Sequence, residues 1–402
     1  MALDEEGSDE DVDDGDWDED DGETEDDGGG PEVVGFDLGV EGGVPEDGGL
    51  GAGGGGIGHG DLRVLCSSVS EMGGVRIPWM VTGRTVVILV GLGVVCLALG
   101  VVRLCVGATG FGIPDSDAIL ALRVDRVWSA VLVGGSLGVA GVLLQSLLRN
   151  PLAAPDLMGL SAGAGFAITV AGMVAGGALG IGASAGPALV GAVGVLLLVW
   201  GLSSRRGVID PVTMILIGVI VSVILGSATL LVASQMSDRG FSTARWMMGS
   251  LRDDLDRGDL VVGSVIALVV VGWSVVSAGA YDASALGDDE ARSVGVRLGR
   301  VRVGQLVGAG VLTTVSIVLA GPIGFVGLVS PHLVRLVLGA RHSGLIVGSA
   351  LVGASLVLGA DVVARFVRTD AGLIPVGVLT SLVGGPIFLV LLLKERRTGA
   401  GS

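Results

Sequence analysis

Apolar stretches of about 20 residues follow one another from residue 84 to residue 393, and they restrict the fold more than any other feature. A stretch of this length can cross the hydrocarbon core of a membrane as a single α-helix. Half of the residues are hydrophobic and only 16% are charged, against roughly 25% in a soluble domain. The sequence therefore predicts an all-α polytopic membrane protein.

We divide these stretches into ten predicted transmembrane helices. Their approximate bounds are 84–107, 127–148, 159–180, 187–204, 212–234, 260–279, 303–320, 325–340, 344–364 and 374–393. The eighth is short and contains Pro331, so it is predicted to be broken or to span only part of the membrane. Glycine recurs in most of these stretches, and small residues let membrane helices pack closely.

The charge is unevenly divided along the chain. Residues 1–50 contain 22 acidic residues and no lysine or arginine, so the 19 acidic and 24 basic residues that remain give the rest a net charge of +5. An acidic, glycine-rich segment with little to bury is typical of disorder. We predict a disordered cytoplasmic tail over 1–60, a juxtamembrane linker over 61–83, a ten-helix domain over 84–397 and a C-terminal tail over 398–402.

The distribution of basic residues predicts the orientation in the membrane. With ten spans both termini lie on one side, and the loops and ends on that side carry 15 of the 24 basic residues. Cytoplasmic loops are enriched in arginine and lysine. We therefore predict a multi-pass protein of the cell membrane with both termini in the cytoplasm.

Several kinds of chemistry find no support in the sequence. The three cysteines form no C-x-x-C pair and the three histidines are scattered, so neither a metal site nor a bound cofactor is predicted. The phosphate-binding motif G-x-x-x-x-G-K-[ST] does not occur. We expect no enzymatic activity in this chain. If its function depended on ATP, another polypeptide would have to hydrolyse the ATP. The weakly basic body argues against nucleic-acid binding through bulk charge.

Three predicted loops carry distinctive polar sequence. Arg123-Val-Asp-Arg126 enters the second span, and Arg149-Asn-Pro-Leu-Ala-Ala-Pro155 leaves it. A longer loop over 280–302 contains an acidic run that suits the start of a helix. Short helices in this loop would offer a platform to a peripheral partner; an ordinary charged loop that only fixes topology is the alternative.

These motifs continue in an ordered series along the chain. They are followed by Gly159-Leu-Ser-Ala-Gly-Ala-Gly165, Leu286-Gly287 through Gly295, Ala320-Gly-Pro-Ile-Gly-Phe-Val-Gly-Leu-Val-Ser-Pro-His332 and Pro375-Val-Gly-Val-Leu-Thr-Ser-Leu-Val-Gly-Gly-Pro386. In this order they resemble the FecCD family of ABC-importer permeases over about residues 84–397. The resemblance implies a homodimeric permease that moves a metal chelate into the cytoplasm by alternating access, driven by a separate dimeric ATPase subunit.

The resemblance also implies roles for individual residues. Docking of an extracytoplasmic substrate-binding protein falls to Arg123, Arg126 and Arg365, for which lipid contact or a purely topological role is the alternative. A cytoplasmic gate falls to Asn150, Pro151 and Leu152. The positions that would couple to the ATPase are Leu286, Gly287, Glu290, Ala291, Arg292 and Gly295.

Some questions stay open at the level of sequence. The family commonly has an acidic residue just before the Pro375 motif, where this chain has Leu373 and Ile374. Cobalamin or a ferric siderophore is the expected substrate, with haem as an alternative. An ion-coupled secondary transporter would need an intramembrane ion site, and an intramembrane enzyme would need a nucleophile and a base; neither is visible in the apolar stretches.

Overall fold

The computed structural model describes residues 83–399 except for short gaps. The gaps are 108–109, 113–115, 177–178, 180, 206–207, 210, 237–246, 252–254 and 370–371. The predicted tail over 1–60 and residues 61–82 of the predicted linker lie outside the described residues. Residues 400–402 of the predicted C-terminal tail also lie outside them.

Helices make up most of the described chain. They are α1 (Gly83–Cys105), α2 (Asp117–Leu148), α3 (Leu160–Val174), α4 (Ile181–Ser203), α5 (Pro211–Ser234), α6 (Arg257–Val276), α7 (Ala278–Leu286), α8 (Asp288–Ser293), α9 (Leu298–Ala320), α10 (Val326–Leu338), α11 (His342–Phe366) and α12 (Val376–Gly399). Each of the ten predicted transmembrane stretches coincides with one of these helices. The predicted α-helical character is therefore confirmed for the described chain.

The described strands are very short. They are β1 (Val106–Gly107), β2 (Gly110–Phe111), β3 (Ser204–Arg205), β4 (Val208–Ile209), β5 (Arg368–Thr369) and β6 (Gly372–Leu373). They pair as three antiparallel ladders of two residues each: β1 with β2, β3 with β4 and β5 with β6. Each ladder connects two consecutive long helices, so these strands act as tight turns.

The described helices differ in whether they have the length and hydropathy that a membrane crossing needs. Seven described helices are long and apolar enough to span a membrane: α1, α2, α4, α5, α6, α9 and α11. Three shorter apolar segments, Leu160–Val174, Val326–Leu338 and Val376–Val390, fill the other predicted positions. The eighth predicted stretch is among these shorter ones, as its Pro331 suggested. A count of ten complete crossings stays a prediction.

The loop predicted over 280–302 contains two short helices. Helix α7 ends at Leu286 and helix α8 begins at Asp288, with three acidic residues in its first turn. Acidic side chains stabilise a helix N-terminus by interacting with its dipole. Gly295 follows α8 with φ of +80°, the left-handed conformation that commonly terminates a helix. The prediction of short helices in this loop is confirmed.

Helix α2 lies at the centre of the bundle and packs against α9, α10 and α11. Glycine makes these contacts close. A Cβ atom placed on Gly141 would lie 1.8 Å from the carbonyl oxygen of Gly327, and one on Gly138 would lie 2.1 Å from that of Ser349. Because no side chain fits in these gaps, the backbones of α2, α10 and α11 touch directly, as small residues allow in membrane bundles.

Candidate transport and coupling sites

Two polar clusters lie at opposite ends of α2, and they contain most of the predicted functional residues. We call the end where α2 begins the Arg123 face and the end where it finishes the Asn150 face. The Arg123 face also holds the last residues of α1 and α11, and the Asn150 face holds α7, α8 and the start of α9. The sequence-based orientation would make the Asn150 face cytoplasmic.

A buried ion cluster joins three helices at the Arg123 face. Asp361 of α11 is fully buried, and its Oδ1 lies 2.8 Å from Nη2 of Arg126 on α2. Arg103, the last basic residue of α1, forms a second ion pair with the same carboxylate and donates a hydrogen bond to the Val106 carbonyl at 3.0 Å. The two guanidinium groups supply the opposite charge that a buried carboxylate needs.

This cluster gives Arg126 a structural contact, and the docking role predicted for it stays a prediction. Only 7% of the residue is exposed, and its guanidinium faces Asp361 inside the bundle. A side chain in this position cannot reach a carboxylate on a separate protein without breaking the buried ion pair. The sequence pattern could not show this, because Asp361 lies 235 positions further along the chain.

The other two arginines predicted to dock a binding protein are more accessible. Arg123 is half-buried, and its Nη1 donates to the carbonyl oxygens of Leu104 at 2.6 Å and Gly112 at 2.8 Å. Arg365 is also half-buried and lies one helical turn beyond Asp361 on α11. Both arginines lie within one helical turn of a member of the buried ion cluster, at the Arg123 face.

The predicted gate residues form the turn that follows α2. Arg149 ends the helix with φ of +49°, and the Oδ1 atom of Asn150 accepts a hydrogen bond from the Leu152 backbone at 2.9 Å. Pro151 is exposed, and Asn150 and Leu152 are half-buried. An asparagine that bonds to the backbone two residues on stabilises a tight turn. The three predicted gate residues are therefore adjacent at the Asn150 face.

Most of the predicted coupling residues are accessible on or beside α8. Leu286 is 79% exposed, Glu290, Arg292 and Gly295 are also exposed, and Gly287 is half-buried. Ala291 differs because it is fully buried. The coupling role of Ala291 stays a prediction, and the structure buries its small side chain within this chain.

An ion cluster connects α8 to two long helices. Asp288, the first residue of α8, has its Oδ1 atom 2.5 Å from Nη2 of Arg149, at the end of α2. Its Oδ2 atom lies 2.8 Å from Nη2 of Arg302, in the first turns of α9. Arg149 also donates to the Ser284 carbonyl of α7 at 2.6 Å. The two arginines hold α7 and α8 against the bundle.

The charge environment of Asp288 favours its ionised form. Partial burial alone would raise the pKa of this carboxyl, but hydrogen bonds and attraction from Arg149 and Arg302 outweigh it. The pKa of Asp288 therefore lies below its ordinary value. The cluster stays charged at neutral pH.

Sequence reasoning did not identify several residues that the structure brings together. Asp288, Arg149 and Arg302 belonged to predicted loops without an assigned role, and Asp361 was not identified. Val294, which is 69% exposed beside α8, was also missed. The charges of these residues were visible in the sequence. Their contacts were not, because contacts between distant positions cannot be assigned from one sequence.

A bundle of apolar helices with polar clusters at both ends is that of a multi-pass membrane protein. Comparison with known proteins gives the particular family. Residues 85–394 match the FecCD transport family, and the chain belongs to this family. The matched residues begin near the start of α1 and end within α12.

Named relatives in this family import different chelates. The chain is 34% identical over 298 residues to the cobalamin import system permease protein BtuC of Halobacterium salinarum, covering 72% of this chain and 77% of that protein. It is 36% identical to the hemin transport system permease protein HmuU of Yersinia pestis, covering 70% and 85%. It is 37% identical to the ferric enterobactin transport system permease protein FepG of Escherichia coli, covering 68% and 82%.

A solved structure has the same fold. It is an inward-facing conformation of a metal-chelate type ABC transporter, with a TM-score of 0.67 and 29% sequence identity. The match covers 77% of this chain and 99% of the other. The resemblance to the permease family that the motifs indicated is thereby confirmed.

Proposed function

We propose that this chain is the permease subunit of an ATP-binding-cassette importer for a metal chelate. The observation that carries the proposal is the position of α8. This six-residue helix presents exposed Glu290 and Arg292, is flanked by exposed Leu286 and Val294, and is fixed through Asp288 to the end of α2. A short exposed helix that is rigidly joined to the transmembrane bundle is suited to transmit the movement of a peripheral subunit.

The energy for transport comes from a dimeric ATPase that binds the Asn150 face. The chain lacks the glycine-rich lysine motif that holds ATP phosphates, so hydrolysis takes place in that partner. Leu286 and Val294 supply apolar contact area, and Glu290 and Arg292 supply charges that orient the partner. In this arrangement the Asn150 face, like both chain termini, is cytoplasmic in the cell membrane.

The opposite face receives an extracytoplasmic substrate-binding protein. Arg123 and Arg365 are its proposed contacts, because a guanidinium group binds a carboxylate through two parallel hydrogen bonds. Arg126 is buried and would support them indirectly. Its ion pair with Asp361 holds the start of α2 next to the end of α11. Docking therefore relies on two accessible arginines that are supported by one buried arginine.

Transport proceeds by alternating access in a pair of identical chains. The substrate crosses between the two copies, and the turn formed by Asn150, Pro151 and Leu152 closes the cytoplasmic end. The similarity to an inward-facing transporter of 29% identity supports this mechanism. Two-state movement of packed helices is a common means of transmitting a distant binding event.

Cobalamin or a ferric siderophore is the proposed substrate, with haem as the alternative. The named relatives carry cobalamin, hemin and ferric enterobactin, and they do not favour one of the three. An ion-coupled carrier would use a buried carboxylate that can gain and lose its charge. Asp361 is buried, but Arg103 and Arg126 neutralise it, so it is poorly suited to that role.

Reconstitution tests the proposal. The purified chain is placed in liposomes with its ATPase and binding protein, and uptake of labelled cobalamin, ferric enterobactin and hemin is measured separately. We expect vanadate-sensitive, ATP-dependent uptake of one of them. Uptake that needs an ion gradient and persists without the ATPase would contradict the proposal.

A further inference from the structure

One carboxylate connects the predicted coupling helix to the predicted gate turn. Asp288 begins α8, and its Oδ1 atom contacts Arg149 Nη2 at 2.5 Å. Arg149 directly precedes Asn150, the first residue of the gate turn. Two charged side chains, Asp288 and Arg149, thus connect α8 to the gate turn.

Arg149 holds two elements at once. Its Nε and Nη2 atoms donate to the Ser284 carbonyl of α7 at 3.0 and 2.6 Å, and Nη2 also contacts Asp288 of α8. The side chain therefore bridges the joint between α7 and α8. The backbone of Arg149 is in the left-handed conformation that ends α2, and the residue is bonded directly to the first residue of the gate turn.

Arg302 ties the same carboxylate to a third element. Its Nη2 atom lies 2.9 Å from Oδ1 and 2.8 Å from Oδ2 of Asp288. Arg302 belongs to α9, which packs along α2 through the bundle. A movement of α8 would therefore be transmitted through Asp288 to the end of α2 and to the start of α9.

We propose that Arg149 and Asp288 are positioning residues that convert a movement of α8 into a movement of the gate turn at Asn150. The inference rests on the proposed function, in which an ATPase moves α8. Both side chains are partly solvated, with 42% and 32% of their surface exposed. Partly solvated ion pairs contribute modestly to stability, so the pair can be removed without unfolding the chain.

Asp289 provides the matched control. It is the next acidic residue of α8, its side chain is 94% exposed, and its ion pair is with Arg292 of the same helix. If the acidic residues of α8 served only to attract an ATPase, loss of either charge would have the same effect. If the Asp288–Arg149 ion pair transmits the movement, loss of the Asp288 charge should impair coupling and loss of the Asp289 charge should not.

The test uses the complete transporter in liposomes with whichever chelate the wild-type complex takes up. The number of chelate molecules imported per ATP hydrolysed is compared for Asp288→Asn, Arg149→Gln, their double variant, Asp288→Glu and Asp289→Asn. We expect Asp288→Asn and Arg149→Gln each to lower this ratio by about fivefold or more while the ATPase still co-purifies. The double variant should lose less than the sum of the two single losses, because both single variants remove the same ion pair.

The conservative variants complete the test. Asp288→Glu keeps the charge and should restore most of the wild-type ratio, and Asp289→Asn should retain it. An unchanged ratio in Asp288→Asn, an equal fall in Asp289→Asn, or additive losses in the double variant would each overturn the inference.

A second readout separates this inference from the proposed function. Amide hydrogen exchange of the segment 149–155 is followed as the ATPase and a non-hydrolysable ATP analogue are added, with no chelate present. We expect altered exchange in the wild type and in Asp289→Asn but not in Asp288→Asn. A wild-type complex that imports none of the three chelates would contradict the proposed function. The exchange result would still decide whether the Arg149–Asp288 pair transmits movement. Identical exchange in all variants would overturn the inference about this pair.

Discussion

The Oδ1 atom of Asp361 lies 2.8 Å from Nη2 of Arg126, although 235 positions separate the two residues in the sequence. The pair joins the start of α2 to the end of α11, and Arg103 brings in the end of α1. All three side chains are buried. The ends of three membrane helices are therefore fixed at the face where a binding protein is proposed to dock.

Removal of Arg126 should destabilise the fold. Arg126→Gln leaves the buried Asp361 with one partner, Arg103, and breaking a buried ion pair typically costs about 3 kcal/mol. Arg257→Gln is the control, because Arg257 and Asp125 form an ion pair whose arginine is 60% exposed. Exposed pairs contribute at most about 1 kcal/mol. Thermal unfolding in detergent measures both; equal melting temperatures for the two variants would contradict the structural role of Arg126.

Docking of the binding protein should depend on Arg123. Arg123→Glu reverses the charge of a half-buried, accessible side chain and should repel acidic residues on the partner, lowering the affinity about tenfold or more. Arg292→Glu, on the exposed surface of α8, should leave this affinity unchanged. Affinity is measured with the immobilised binding protein and the purified permease. Wild-type affinity in Arg123→Glu would exclude Arg123 as a contact.

Because α2 packs closely against α11, replacing either of two α2 glycines with alanine should change the stability of the protein by very different amounts. Gly138→Ala places a Cβ atom 2.1 Å from the Ser349 carbonyl oxygen, so α11 must shift, at a cost of about 1–3 kcal/mol. Gly135→Ala on the same helix meets its nearest atom at 3.5 Å and gains helix propensity. We expect a lower melting temperature for Gly138→Ala alone. Similar melting temperatures for both variants would mean that α2 and α11 are not in direct backbone contact.

The coupling ratio should be insensitive to pH near neutrality. Burial would raise the pKa of Asp288, but Arg149 and Arg302 lower it overall. The ion pairs of Asp288 therefore contribute fully to stability above the ordinary aspartate pKa of about 3.9, and they are lost only as the pH falls through the lower folded-state pKa. Chelate imported per ATP should therefore stay constant between about pH 6 and pH 8. A fall within that range would indicate control by another group.

Much of the architecture follows from the sequence because burial in a membrane imposes a simple rule. Any helix that crosses the hydrocarbon core must be apolar over its length, so the ten stretches were visible without knowledge of their neighbours. The start of α8 was visible for a similar reason, since acidic residues favour a helix N-terminus. These are local signals, and each predicted stretch overlaps a helix. The start of the second stretch was wrong, because α2 begins at Asp117 and Arg123 and Arg126 lie within it and not in a loop.

The contacts between distant residues could not be predicted in this way. Arg123 and Arg126 belong to one motif, yet Arg123 is accessible and Arg126 is buried against Asp361. Ala291 lies among exposed residues in the sequence but is fully buried. Which side of a helix meets its neighbour depends on the packing of the whole chain. The charges of Arg126 and Asp288 were evident from sequence, but their partners were not.

The most direct test of the central claim is chelate uptake into liposomes without any ion gradient, measured with and without the ATPase subunit. The chain, the binding protein and the chelate are identical in both samples, and ATP is enclosed on the side of the ATPase. We predict that chelate accumulates only when the ATPase is present and that vanadate abolishes the accumulation. Equal accumulation in both samples would contradict the assignment of this chain as an ATP-dependent importer subunit.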